Sequence, residues 1–355
     1  MKEIREVKVC HIITGLNKGG AEVFLLDLCK SLNQLSADSS LVIGLNSYSD
    51  LLGGYQSAHV ETTVLGMKKN PVSFLKKLFW SVNYCRNKSI TILHAHMAHS
   101  LLFAVCIKLF IPKLKIVFTA HSVRLSSRTV EYLLSLLKSF RSGDIIFSKT
   151  SKQFFHSDRI SIVPNGLDFS DFLESATVKN NIFTFIAVGR LESMKNHIYL
   201  IENFNKLRNK EKVQLIIVGE GSQRCYLTEA IQRNNLENKI LLPGKKENIK
   251  DYLHQAHCFL LPSLWEGFPI SLLEAGAAGL PCIVTKIQAV MDNFSEDSLF
   301  ISPVEGFTER MDSVVENYVE ACQKAQNFKK EIVENFGIRQ VAEKHVTLYQ
   351  TILTE

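Results

Sequence analysis

The sequence predicts an α/β protein made of two doubly wound, Rossmann-like domains facing each other across a cleft. Three observations carry the two-domain part of that prediction. Short β-branched runs alternate with longer stretches of helical period, the order that gives a parallel sheet covered on both faces. The alternation breaks once, at the turn-rich Pro164-Asn165-Gly166-Leu167-Asp168, and then restarts. The length of 355 residues suits two domains of about 150 residues each.

In order, Val7–Ile13 reads as a strand and Ala21–Leu35 as a helix with Phe24, Leu28 and Leu32 on one face. Leu41–Gly44 and Thr62–Leu65 read as strands. Pro71–Asn87 reads as a helix with proline in its first turn. Ile90–Leu93, Ile116–Thr119 and Asp144–Ser148 are further strands, separated by helices near Ser100–Phe110 and Thr129–Phe140. After the break come strands at Phe183–Val188, Val213–Val218, Ile240–Leu242, Cys258–Leu261, Cys282–Thr285 and Leu299–Ile301. Helices are expected at His197–Asn209, Arg224–Asn234, Ile249–Gln255 and Ile270–Ala278, with a helical tail over Glu309–Leu353. The expected domains are 1–165 and 166–335, with a final helix over 336–355 turned back toward the first. Ligands of such sheets bind at the carboxyl ends of the strands, which places the site in the cleft.

Hydrophobic residues at 46% and charged residues at 21% exclude a disordered chain. The net charge of +6 is uneven: residues 1–165 hold 21 Lys/Arg against 10 Asp/Glu, and the remainder is net acidic. A basic first half points to an anionic partner. Eight cysteines without a Cys-x-x-Cys pair read as buried, reduced thiols. Met1–Lys8 is charged and carries no signal-peptide pattern. Leu101–Pro112, the longest apolar run, is interrupted by Lys108 and falls short of the ~20 residues of a spanning helix. A cytoplasmic protein is therefore expected.

Three segments carry chemistry. Thr14-Gly15-Leu16-Asn17-Lys18-Gly19-Gly20-Ala21-Glu22 follows the first strand and opens a helix. Its glycines let backbone approach a ligand, and the helix N-terminus offers N–H groups to an anion. The spacing is not that of the dinucleotide fingerprint, which argues against a nicotinamide-dependent oxidoreductase. In the second segment Arg190 stands just past a strand and Lys195 at the next helix start, two cations suited to a diphosphate. In the third, Glu266 and Glu274 frame a helix start at Pro269, and each carboxylate can bind a diol. Trp265 and Phe268 beside them read as a sugar-binding surface, and the amides of Gly267, Phe268, Ile270 and Ser271 as aimed at the ligand.

With Gly19-Gly20-Ala21-Glu22, Asn165-Gly166-Leu167-Asp168, Gly189-Arg190-Leu191-x-x-x-Lys195-Asn196 and the Glu266/Glu274 pair, the chain resembles glycosyltransferase family 4 over nearly its whole length. The resemblance implies a retaining, nucleotide-sugar-dependent enzyme with the GT-B fold. It implies that Arg190 and Lys195 hold the donor diphosphate and Glu274 the ribose. Glu266 and the Gly267-Phe268-Pro269-Ile270 backbone would hold the donor sugar, with Gly19 and Gly20 over the phosphates. Gly244 and Lys245 match the loop that reads the base, and His121 the histidine that contacts the transferred sugar. One departure is the Lys286–Asp292 stretch, where the family often has glycines leading to a glutamate.

His94, His96 and His99 invite a metal reading, but carboxylate partners and an Asp-x-Asp motif are missing from the sequence. No metal or other cofactor is expected, because Arg190, Lys195 and helix N-termini can supply positive charge. The expected reaction transfers a hexose or N-acetylhexosamine, from UDP by preference, to a glycan or polyprenyl-diphosphate-linked acceptor in bacterial surface polysaccharide assembly. Lys68, Lys69, Lys76 and Lys77 around the Pro71–Asn87 helix, with its Phe74, Leu78, Phe79 and Trp80, suit an anionic cytoplasmic membrane surface. A sugar-nucleotide epimerase of the same fold is the alternative. A nucleic-acid partner is not expected, because the basic residues follow no reading motif.

Overall fold

A computed structural model of the chain describes residues 7–17, 19–36, 39–68, 70–121, 128–149, 152, 159–173 and 178–355. Two compact units result: Met1–Gly166 with Ile338–Glu355, and Leu167–Gly337.

The first unit runs β1 (Val9–Ile13), α1 (Gly20–Leu35), β2 (Ser40–Gly44), α2 (Leu52–Ser57), β3 (Glu61–Val64), α3 (Pro71–Asn87), β4 (Ile92–His96), α4 (Ala98–Phe110), β5 (Lys115–Thr119), α5 (Arg128–Leu136), β6 (Gly143–Ile146) and β7 (Ile160–Ile162). All seven strands are parallel, in the order β3-β2-β1-β4-β5-β6-β7. β1 and β4 are buried along their whole length, as central strands of a doubly covered sheet must be. α3 begins where the sequence places it: Pro71 occupies the first turn and the Asn70 side chain accepts from the Ser73 amide at 2.7 Å.

The second unit runs α6 (Ser170–Leu173), β8 (Phe183–Val188), α7 (His197–Phe204), β9 (Val213–Val218), α8 (Arg224–Arg233), β10 (Ile240–Gly244), α9 (Ile249–Gln255), β11 (Cys258–Leu261), α10 (Ile270–Ala277), β12 (Cys282–Thr285), α11 (Gln288–Met291), β13 (Phe300–Ser302), α12 (Phe307–Glu316) and α13 (Tyr318–Phe336). Its six strands are parallel in the order β10-β9-β8-β11-β12-β13. Each unit is thus the parallel-sheet α/β layer that the alternation predicts.

Two features depart from the sequence reading. The tail over Glu309–Leu353 is not one helix: it breaks at Asn317 and at Gly337 into α12, α13 and α14 (Ile338–Thr354). Gly337 turns extended (φ −62°, ψ 139°), and the chain beside it is pinned by the Leu167 amide donating to the Phe336 carbonyl at 3.0 Å. α14 belongs to the first unit, where Val341, Ala342, Tyr349 and Ile352 share a core with Phe24, Leu28 and Leu32 of α1. The Lys286–Asp292 stretch folds as the short α11. All eight cysteines are free; Cys10, Cys29, Cys85, Cys258 and Cys282 are buried, and Cys225 alone is exposed.

Candidate active site

Parallel strands put all their carboxyl ends on one edge, and most of the residues singled out in the second unit lie along that edge. β8 delivers Arg190, β9 Gly219-Glu220-Gly221, β10 Gly244, and β11 the Pro262–Glu266 loop. The edge is stitched together. The Leu264 amide donates to the Met194 carbonyl at 2.9 Å, and Asn196 Nδ2 to the Pro262 carbonyl at 3.2 Å. Asn196 caps α7 from the left-handed region (φ 54°), which asparagine tolerates better than most residues. Thr285 Oγ1, at the end of β12, donates to the carbonyls of Leu261 (3.1 Å) and Ser263 (2.5 Å). A Cβ on Gly219 would sit 1.9 Å from the Gly189 carbonyl oxygen, so only glycine lets the β9 loop lie against the β8 loop.

This stitching brings Lys195 to Glu266. Lys195 Nζ donates to Glu266 Oε1 at 2.6 Å, and Ser263 Oγ donates to the same oxygen at 2.6 Å. The carboxylate is buried and the ammonium nearly so, with side-chain exposures of 5% and 17%. Oε2 is left without a protein partner among the described residues. Arg190 stands apart: its side chain is 79% exposed, and among the described residues its only ion-pair partner is Glu192, at 3.3 Å. Glu192 is in turn held by Ser222 Oγ at 2.7 Å, a hydrogen bond that draws its carboxyl below the usual range. Glu274 lies one turn into α10, half-buried. Desolvation pushes its carboxyl up to about 7.

Two expectations at this edge are corrected. Phe268 presents no sugar-binding face: its ring is buried, 5.9 Å from Phe294 and 5.8 Å from Phe336 by centroid. The Ile270 amide is engaged by the Phe268 carbonyl at 3.1 Å, because Pro269 (φ −82°, ψ 86°) closes a tight three-residue turn. Pro269 is therefore the cap of α10 rather than part of its first turn. The amides of Gly267 and Ser271 remain without an acceptor among the described residues. Gly244 is left-handed (φ 81°) at the end of β10, and Lys245 is exposed next to it.

In the first unit, Gly19 caps α1 and Gly20 opens it. A Cβ on Gly20 would meet nothing within 4 Å, so packing does not demand glycine there. Lys18 and Lys69 lie outside the described residues. His121 follows β5, with Nε2 3.0 Å from His96 Nδ1 and Nδ1 buried without a partner among the described residues. Burial lowers its pKa to about 4, so the ring is neutral.

The histidine cluster of the sequence reading changes membership. His11, which periodicity alone does not single out, joins His94 and His96 in place of His99, with their ring nitrogens within 4.8 Å of one another. The set does not suit a metal. Both nitrogens of His94 are engaged, by Tyr349 Oη (2.7 Å) and Thr119 Oγ1 (2.8 Å), and both of His96 by His11 and His121. The His94 and His96 rings also stack, with centroids 4.2 Å apart, so their in-plane lone pairs do not converge. Ser263, Thr285 and His11 are the site residues that sequence reasoning missed. The first two sit at ends of predicted strands, the only signal available.

Comparison with known proteins identifies the family. Residues 18–171 match the family described as Glycosyltransferase Family 4, and residues 169–332 the family described as Glycosyl transferases group 1. The UDP-Gal:alpha-D-GlcNAc-diphosphoundecaprenol alpha-1,3-galactosyltransferase of Escherichia coli is 31% identical over 209 residues, 54% of this chain and 54% of that enzyme. The chain thus matches about half the length of that relative. The N-acetylgalactosamine-N,N'-diacetylbacillosaminyl-diphospho-undecaprenol 4-alpha-N-acetylgalactosaminyltransferase of Campylobacter jejuni is 27% identical over 302 residues, 78% of this chain and 80% of that enzyme. Among solved structures, Anabaena HepE in complex with UDP and glucose superposes with a TM-score of 0.87 at 18% identity, covering 97% of this chain and 100% of that one. At that identity the likeness establishes the fold, which is GT-B.

Proposed function

Since the chain belongs to the family 4 glycosyltransferases, we propose that it moves a hexose or N-acetylhexosamine from a UDP-sugar to a hydroxyl of a glycan or polyprenyl-diphosphate-linked glycan, with retention. The observation that carries this reading is the buried Lys195–Glu266 pair on the strand-end edge that also carries the exposed Arg190. Lys195 spends one of its three N–H donors on Glu266 and keeps others for a phosphate oxygen. Arg190 offers its fork to the same diphosphate. Glu266 Oε2 suits a hydroxyl of the donor sugar, Glu274 the ribose diol, and Gly20 the close approach of phosphates.

In the step we propose, the bond from the anomeric carbon to the phosphate oxygen breaks while the bond to the acceptor oxygen forms on the same face. The acceptor's proton passes to the departing phosphate oxygen. Arg190 and Lys195 stabilise the charge growing on that oxygen. Glu266 Oε1 already accepts two hydrogen bonds, so we assign it to binding rather than to covalent attack; a trapped glycosyl-enzyme would overturn this. With these cations in place, turnover should persist in a chelator.

The relatives support the substrate classes. The Escherichia coli enzyme takes UDP-galactose by name, and both enzymes above name diphospho-undecaprenol acceptors. Neither the family matches nor these relatives point to an epimerase. Among the described residues no helix is long and apolar enough to cross a membrane. We infer instead that α3 and α4 meet the anionic cytoplasmic leaflet. The sequence reading placed Phe74 and Leu78 at that surface, but both pack into the core. The exposed side chains of α3 include Val72, Leu75, Lys76, Phe79 and Trp80, and the Phe79 ring meets the exposed Phe110 of α4 with centroids 5.4 Å apart. A helix apolar on both faces needs a second partner.

The test incubates the protein with UDP-galactose, UDP-glucose, UDP-N-acetylglucosamine or UDP-N-acetylgalactosamine, with and without an undecaprenyl-diphosphate-linked saccharide, and with and without EDTA. UDP release that requires the acceptor and ignores EDTA supports the reading. Acceptor-free isomerisation of the sugar, or no UDP from any donor, overturns it. Equal sedimentation with anionic and neutral liposomes would remove the membrane partner.

A further inference from the structure

The first unit contains a row of imidazoles to which the transfer step above assigns no role. His11 on β1 and His94 on β4 are register partners in adjacent parallel strands, and His96 lies two residues on, so all three face one side of the sheet. α1 and α14 cover that side. His94 is tied off by Tyr349 and Thr119. The other rings form a chain: His11 Nδ1 to His96 Nε2 at 3.1 Å, then His96 Nδ1 to His121 Nε2 at 3.0 Å. The two outer atoms, His11 Nε2 and His121 Nδ1, are both buried and both without a partner among the described residues. Met97, directly after His96, is held at φ 73°, ψ 160°, a region otherwise left to glycine, while its amide donates to the Thr119 carbonyl at 3.0 Å. The backbone is strained where the chain of rings reaches the strand ends.

Proton counting makes these rings interdependent. Desolvation keeps all three neutral, so they carry three N–H groups between them. Two N–H groups occupy the two inter-ring hydrogen bonds. The third sits at one end or the other. Either His121 Nδ1 is protonated and His11 Nε2 bare, or the reverse. A buried polar atom left unpaired costs free energy at either end, so a ligand that satisfies one end selects the arrangement.

We propose that His11 and His96 are positioning residues that let His121 present a bare Nδ1 to a hydroxyl of the transferred sugar. This rests on the reading that His121 faces that sugar. The hydroxyl then donates to Nδ1, and its oxygen keeps more electron density beside an anomeric carbon that turns cationic. His11 Nε2 holds the displaced proton. No proton is exchanged with the sugar, and no net charge enters the core.

Selective 15N-histidine labelling distinguishes protonated from bare ring nitrogens. In the free protein and in every complex, His121 Nδ1 and His11 Nε2 should show opposite states. UDP-galactose or UDP-glucose should shift the pair toward bare His121 Nδ1, and UDP alone should not. His96→Phe should abolish the response at His11. His11→Phe should cut turnover about tenfold, the equivalent of one lost hydrogen bond, with UDP affinity unchanged. His11→Asn, whose amide can replace Nδ1, should recover most of it. Equal states at the two ends, a protonated His121 Nδ1 under the sugar, or wild-type turnover in His11→Phe overturns the proposal. If His121→Phe turns over normally, the sugar contact itself is wrong, and the opposite-state rule in the free protein still judges the linkage separately.

Discussion

The strand-end rims of the two units spend their polar groups differently. In the second unit, Lys195 and Ser263 both hold Glu266 Oε1, and Thr285 and Asn196 fasten the loops that carry them. In the first unit, His121 Nδ1 has no partner among the described residues, and a Cβ on Gly20 would meet nothing within 4 Å. A rim that holds itself together is organised before its ligand arrives and loses little on binding. A rim with unpaired groups depends on the ligand to complete it. Under the proposed function, the first would serve the diphosphate common to all donors, and the second the groups that differ between sugars.

The largest effects should come from the two cations of the organised rim, and they should differ. Arg190→Ala and Lys195→Ala are each expected to lower kcat/KM by about 10²–10³-fold, the loss of one preorganised donor. Only Lys195→Ala should also destabilise, by about 3 kcal/mol, because it leaves the Glu266 carboxylate buried beside Ser263 alone. Arg190→Ala should stay within about 0.5 kcal/mol of wild type, since an exposed ion pair contributes little. Urea unfolding and steady-state kinetics on both variants check this. A fully stable Lys195→Ala would break the contrast, and a kinetically normal Arg190→Ala would remove that residue from the site.

Glu274 sharpens the comparison with an intermediate effect. Its carboxyl lies at about 7 in the folded chain against an ordinary 4.5. The folded state therefore holds this proton more tightly than the unfolded state. Stability is lost as pH rises from about 4.5 to 7, and the loss persists above. Glu274→Gln should match wild type at low pH and be more stable at pH 8, by up to about 3 kcal/mol. The same variant should bind UDP about 10-fold more weakly, since a hydrogen bond to a charged group is replaced by a neutral one. Thermal melts across pH and titration with UDP test both. A gain in stability without a loss in affinity would leave Glu274 merely desolvated and not a ligand.

These contrasts show what the sequence could and could not tell. Strands such as Phe183–Val188 and Cys282–Thr285 were legible to the residue, because a buried parallel strand is a continuous apolar run. Arg190, Lys195 and Glu266 were legible as a motif at strand ends. Their pairing was not, because it depends on Asn196 joining loops 66 residues apart and on Thr285 holding Ser263 from 22 residues away. Phe268 was misread because an aromatic beside a carboxylate looks the same in sequence whether it faces ligand or core. His11 was invisible for the same reason: one histidine in an apolar strand gains meaning only from its register with His94.

The smallest effect belongs to Gly20. It occupies the first position of α1 without left-handed geometry, and a methyl there would touch nothing. Gly20→Ala should leave stability unchanged or raise it by no more than about 1 kcal/mol, as alanine favours helix. If phosphates approach this backbone closely, the added methyl should weaken UDP-glucose binding by no more than about tenfold, a change of about 1.4 kcal/mol. Calorimetric titration beside a thermal melt separates the two. A variant that is more stable and binds weaker marks a glycine kept for the ligand. Unchanged affinity would mean that the open space at residue 20 serves no donor phosphate, and the proposed role of the Gly19-Gly20 turn would fail while the Lys195–Glu266 rim stood untouched.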